Sequence, residues 1–129
     1  MSFDVFVQSF SKGDASTAGA DAVRAVLAPY AADSAQSGFA RLVTSDGGAD
    51  LYGYDDLGSG FMVNHISGDE VWDIVVQAAA ASGLAIIPAG CPTCVTSEST
   101  TADLPSELAS DVRLVETGVE LRSVVEEAE

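Results

Sequence analysis

Apolar and polar residues alternate over residues 3–10 (FDVFVQSF): Phe3, Val5 and Val7 fall on one face, and Asp4, Phe6 and Gln8 on the other. A period of two predicts a strand with one apolar and one mixed face. Residues 11–19 (SKGDASTAG) form a polar, Gly-containing loop. From Ala20 to Ala28 the period changes to that of a helix, with Val23, Val26 and Leu27 on one side. Pro29 ends it. Residues 38–45 (GFARLVTS) predict a second strand. Asp46-Gly47-Gly48 is a hairpin signal, because glycine reaches the positive φ of tight turns. Residues 49–54 return as a strand that places Asp50, Tyr52 and Tyr54 on one face. Residues 55–60 (DDLGSG) turn again, and residues 61–66 (FMVNHI) complete a three-stranded meander.

A well-marked helix follows. Ser67 and Glu70 have capping-box spacing, in which hydroxyl and carboxylate each satisfy a free backbone N–H. Asp69, Glu70 and Asp73 suit the positive end of the helix dipole. Val71, Val75, Ala78 and Ser82 share a face, flanked by Trp72, Val76 and Ala79, and Gly83 is the stop. Residues 84–88 (LAIIP) read as a buried strand in mid-sheet. Residues 89–94 turn, and residues 95–97 allow a short strand. Pro105 opens a short helix through Ala109. Residues 112–116 predict another strand. Thr117 and Glu120 form a second capping box, and Leu121, Val124 and Val125 predict a closing helix that frays over residues 126–129. A strand over residues 119–125 competes with it.

The element order, β-α-β-β-β-α-β-(β)-α-β-α, predicts an α+β fold. One domain spans residues 1–129, with an antiparallel-rich mixed sheet, a central three-stranded meander and two to four helices packed on it.

Charge limits function more than any motif does. Twenty acidic residues face five basic ones, of which only Lys12 is a lysine, for a net charge of −15. Such a surface repels nucleic acid and anionic membranes and attracts cationic proteins or metal ions. The 47% apolar content argues against disorder. A GC-rich genome or a salt-adapted cytoplasm would also make the chain acidic without a binding role. The opening Met1-Ser2-Phe3-Asp4 lacks the basic start of a signal peptide. The apolar run from Ile74 to Cys91 is interrupted by Gln77, Ser82, Gly83 and Pro88, as expected of a buried helix and strand. No membrane association is expected, and the cytoplasm is the expected location.

Three features carry candidate chemistry. Cys91-Pro92-Thr93-Cys94 has the spacing of a redox dithiol. The residues after it, Val95 to Thr101, are poor helix formers, and Ala89-Gly90 stands where a thioredoxin-type site has tryptophan. With His65 the pair supplies three of the four ligands a structural zinc needs. Otherwise these are two small thiols in a turn. His65 itself sits near a strand end, as a structural histidine or a base using a nearby acid. Asp46, Asp50, Asp55 and Asp56 cluster in predicted turns, where aspartate bonds its own backbone. Their spacing is not that of an EF-hand. Tyr52 and Tyr54 beside Asp50, Asp55 and Asp56 resemble the aromatic patch and charged rim of a protein-binding surface.

The segments Met1 to Phe10, Gly60 to Asn64 and Val71-Trp72-Asp73 resemble a group of small, uncharacterised acidic bacterial proteins, over about two-thirds of the chain. By analogy, the resemblance implies an immunity- or antitoxin-type partner and carries over no functional residues. The expectation is a non-enzymatic module that uses Asp50, Tyr52, Tyr54, Asp55 and Asp56 to bind a basic protein. It needs no cofactor. The alternative is a thiol-redox or zinc-holding protein that uses Cys91, Cys94 and His65.

Overall fold

The computed structural model describes residues 3–17, 19–32 and 38–127. Met1, Ser2, Ala18 of the predicted loop, and Ala128 and Glu129 of the predicted fraying end lie outside these residues. In chain order the elements are β1 (Val5–Gln8), β2 (Phe10–Ser11), β3 (Asp14–Ala15), α1 (Ala20–Leu27), β4 (Ala31–Ala32), β5 (Phe39–Val43), β6 (Gly48–Tyr52), β7 (Phe61–Ser67), α2 (Glu70–Ser82) and β8 (Ala85–Pro88). There follow β9 (Thr93–Val95), α3 (Glu98–Thr101), α4 (Ser106–Ala109), β10 (Val112–Leu114) and α5 (Gly118–Glu127). A short 3-10 turn follows α1 (Ala28–Tyr30), and another follows β6 (Tyr54–Ser59).

Eight strands form one sheet in the order β10-β9-β8-β1-β7-β6-β5-β4, the expected α+β architecture. All neighbours are antiparallel except β9 and β10. The predicted meander β5-β6-β7 forms one half. The apolar strand β8 lies inside the sheet, as its sequence predicts. β1 sits between β7 and β8, so the start of the chain joins the two halves. The predicted loop after β1 folds into the small hairpin β2–β3, whose Lys12-Gly13 turn has both residues at positive φ.

Alternation places Val5, Val7, Ala40, Leu42, Leu51, Val63 and Ile86 on one buried face of the sheet. Val23 and Leu27 of α1, Val71, Ile74 and Val75 of α2, and Leu121, Val124 and Val125 of α5 share that core. α2 lies in the middle of this helix layer, packed against α1 on one side and α5 on the other. Among the described residues the opposite face is covered at one end, where Leu104, Leu108 and Phe10 pack on Ala85 and Val95.

Two local expectations were correct in place and wrong in cause. α2 begins and ends near the predicted residues, but the Ser67–Glu70 capping box is not made. Ser67 Oγ instead accepts from the Gly48 N–H at 3.1 Å, and Glu70 Oε2 accepts from the Ser45 N–H at 2.9 Å. The free N–H of Asp69 donates to Asp46 Oδ2 at 2.8 Å. That bond to a distant turn leads the causes that hold the Asp46 carboxyl below its ordinary range. The Asp46-Gly47-Gly48 turn forms as predicted, but neither glycine has positive φ. Close approach requires them instead. A Cβ on Gly47 would lie 2.2 Å from the Ser67 carbonyl oxygen, and one on Gly48 would lie 2.3 Å from that of Leu42.

The second capping signal forms in part: Glu120 N–H donates to Thr117 Oγ1 at 3.2 Å, while Glu120 Oε1 accepts from the N–H of Glu116, one residue before Thr117, at 2.8 Å. The competing strand over residues 119–125 is therefore replaced by α5.

Candidate interaction surface on the open sheet face

Where no helix covers the sheet, side chains of the second face are in view. Register places Phe39 opposite Tyr52, Tyr52 opposite Met62, Met62 opposite Phe6, and Phe6 opposite Ile87. Directly opposite residues share a face. These five therefore make one apolar row across β5, β6, β7, β1 and β8. Phe6 is 43% exposed and Tyr52 41%. The Phe39 and Tyr52 rings meet edge to face with centroids 5.4 Å apart.

Beside it runs a polar row. Arg41 stands opposite Asp50, and Asp50 opposite Asn64. Asn64 Nδ2 donates to Asp4 Oδ1 at 3.2 Å. The Asp50 carboxylate is shared: Arg41 Nη1 donates to Oδ1 at 2.9 Å, and His65 Nδ1 lies 2.9 Å from Oδ2. His65 reaches it because β7 carries one extra residue between Asn64 and Ser67 relative to Asp50 and Gly48 of β6. This bulge holds His65 at φ 52 and turns its ring toward Asp50. The acid near His65 is thus identified, and the contact orients an exposed imidazole.

The five residues of the expected binding surface separate into two places. Asp50 and Tyr52 lie on the open sheet face. Tyr54 lies beyond the end of β6, in the 3-10 turn, and packs against the helix-side core with the Arg24 guanidinium 5.5 Å from its ring centroid. It does not share a strand face with Tyr52. Asp55 and Asp56 are exposed beside it and line a depression with Arg24, Thr17 and Gly19.

Of the thiol-based constellation, Cys91 and Cys94 stay near each other, but His65 does not join them. Cys91-Pro92 leads into β9 rather than a helix, so no helix dipole favours a thiolate. Cys94 is fully buried in the main core. Burial, and then the charge of Cys91, push its thiol up from 9.0 to about 12, with the Arg113 guanidinium pulling the other way. His65 is on β7, three strands from β9, and its Asp50 partner lies on the opposite face of the sheet from Cys94. Three strand spacings are about 14 Å, too far for a shared metal. Cys94 is therefore expected to resist thiol reagents in the native state and to react at once in denaturant, with Cys91 labelled first. Rapid native labelling of both would refute the burial. The sign for pH follows: above pH 9.0 the unfolded chain releases a proton that the folded chain keeps until about 12. Stability should fall across that window, less so in Cys94→Ala.

Tyr52 and Asp50 were legible from strand alternation. Phe6, Met62, Ile87 and Phe39 were not identified, although a signal was present. Each is a large apolar residue in a strand that already has an apolar face on the other side.

Compared with known proteins, the chain matches no family model, no curated protein and no solved structure. Fold and surface alone define its class: an acidic α+β protein with a helix layer on one sheet face and a partly exposed apolar row on the other. No helix among the described residues is long and apolar enough to cross a membrane.

Proposed function

We propose that this chain is a small binding module that docks a basic protein on the open face of its sheet. It would act in the cytoplasm as an immunity- or antitoxin-type inhibitor, in keeping with the acidic bacterial proteins its sequence resembles. The observation that carries this reading is the Phe39–Tyr52–Met62–Phe6–Ile87 row, in which Phe6 and Tyr52 are exposed and the other three half-buried. A contiguous apolar patch with a polar rim marks an interaction site in a water-soluble fold. Aromatic residues, Met and Arg are the types enriched at protein interfaces, and Arg41 is held beside the row. The net charge of −15 speeds the approach of a cationic partner and opposes a second copy of the chain. Asp55 and Asp56 add to that field from the helix side, with the Tyr54 ring packed beside them. The buried Cys94 thiol counts against the thiol-based alternative.

The test is capture from a host extract with the wild type, Phe6→Asp, Tyr52→Asp and the pair Asp55→Lys/Asp56→Lys. One stoichiometric basic protein should bind the wild type and weaken as salt rises. Phe6→Asp and Tyr52→Asp should each reduce its affinity about 30-fold or more, as expected at the centre of an interface. The lysine pair should slow association without abolishing it. Full retention by both folded sheet-face variants would overturn the reading.

A further inference from the structure

We propose that the partner segment occupying the row is an amphipathic, cationic α-helix laid across the strands. This deepens the docking reading above and rests on it.

The direction of the row carries the argument. A chain running along β1 would meet Asp4, Phe6 and Gln8 in turn, one apolar contact among polar ones. The apolar contacts continue only across strands. From Phe39 to Ile87 the row crosses four strand spacings, about 19 Å. A helix advances about 5.4 Å per turn, so roughly 13 residues span that length. Anchors at i, i+4, i+7 and i+11 then fall near successive strands. An added strand at the β4 or β10 edge would leave the row uncovered.

The flank sets the partner's charge. Asp4 and Asp50 lie along one side of the row, with Arg41 and His65 engaged on Asp50. Two carboxylates against one guanidinium leave that side negative while His65 is neutral. Basic residues on one flank of the helix would meet it. A second copy is a poor occupant. Its α5, with Val119 73% exposed, is a helix with exposed apolar surface, but Glu120, Glu126 and Glu127 would bring acid to acid. At the β8 end Leu104 and Leu108 rise over the sheet. The helix would abut them there and leave over β5.

The probes are three synthetic peptides of about 18 residues, offered to the full chain. One has leucines at helical spacing flanked by lysines. The second scrambles the same composition. The third replaces each lysine with glutamate. The first should become helical on binding, by circular dichroism, and bind at least about tenfold more tightly than either of the others by calorimetry. Amide shifts should concentrate at Phe6, Tyr52, Met62 and Ile87, and Tyr52→Asp and Phe6→Asp should each remove binding. Equal binding by the scrambled peptide, or binding without helicity, overturns the helix. Equal binding by the glutamate peptide overturns the charge rule. Dimers in sedimentation that Phe6→Asp dissociates would make a second copy the occupant. If a basic protein is captured through the row while the lysine peptide fails to bind, only the helical occupant is overturned and the docking reading stands.

Discussion

Leu51→Ala should cost about 2–5 kcal/mol of stability, the range for truncating a buried leucine. Leu51 is fully buried, stands opposite Ala40 and Val63 in the sheet, and faces the helix layer. α2 packs across this part of the sheet, and Leu51 is closed in between its strand neighbours and the helix layer. The cavity is therefore expected to persist and to lower Tm by roughly 10 °C. The informative comparison is one residue away. Tyr52→Ala removes a larger side chain from the open face, where it is already 41% exposed, and should cost well under half as much. Urea titration of the two variants checks both the alternation and the one-sided helix layer. Equal losses would place Tyr52 under a cover and overturn the open face.

Gly118→Ala should be the second large effect. Alanine normally favours a helix by about 1 kcal/mol over glycine. Here the sign should reverse. A Cβ on Gly118 would lie 2.4 Å from the Asp73 backbone N and 2.6 Å from the Trp72 carbonyl carbon. These are backbone atoms of α2 and cannot swing aside as a side-chain tip would. The Gly118 N–H also donates to Asp73 Oδ1 at 2.7 Å, fixing the start of α5 on α2. Displacing α5 strains that bond and the packing of Leu121 and Val125 beyond it. Overpacking of this kind costs about 1–3 kcal/mol, and a clash with backbone belongs at the upper end. Val119→Ala, one residue on and 73% exposed, should stay within about 0.5 kcal/mol of wild type. An unchanged or raised midpoint for Gly118→Ala would show that the two helices can separate there at little cost.

Such contacts explain which parts of the fold were legible. The long elements were readable because their signals are local. β5, β6, β7, α2 and β8 each bury one face or all of a short run, and burial imposes a period on the residues. Thr117–Glu120 was readable because both ends of that cap lie within one turn. Ser67–Glu70 had the same signature and failed, since the β5–β6 turn engages all three groups: Asp46 takes the Asp69 N–H, while Gly48 and Ser45 hold the Ser67 and Glu70 side chains. β4 and the β2–β3 hairpin, two residues per strand, are too short to show a period.

The sequence by itself determined the α+β class, the presence of the meander and of the main helices, and the negative field around the molecule. It did so because these follow from residue type and spacing along the chain. Tertiary structure alone decided that β1 lies between β7 and β8, that Phe6 joins Tyr52 and Met62 in one partly exposed row, that a bulge turns His65 onto Asp50, and that Cys94 is buried on the opposite face of the sheet from them. Each depends on strand order and register, which are fixed by pairings between residues far apart in sequence.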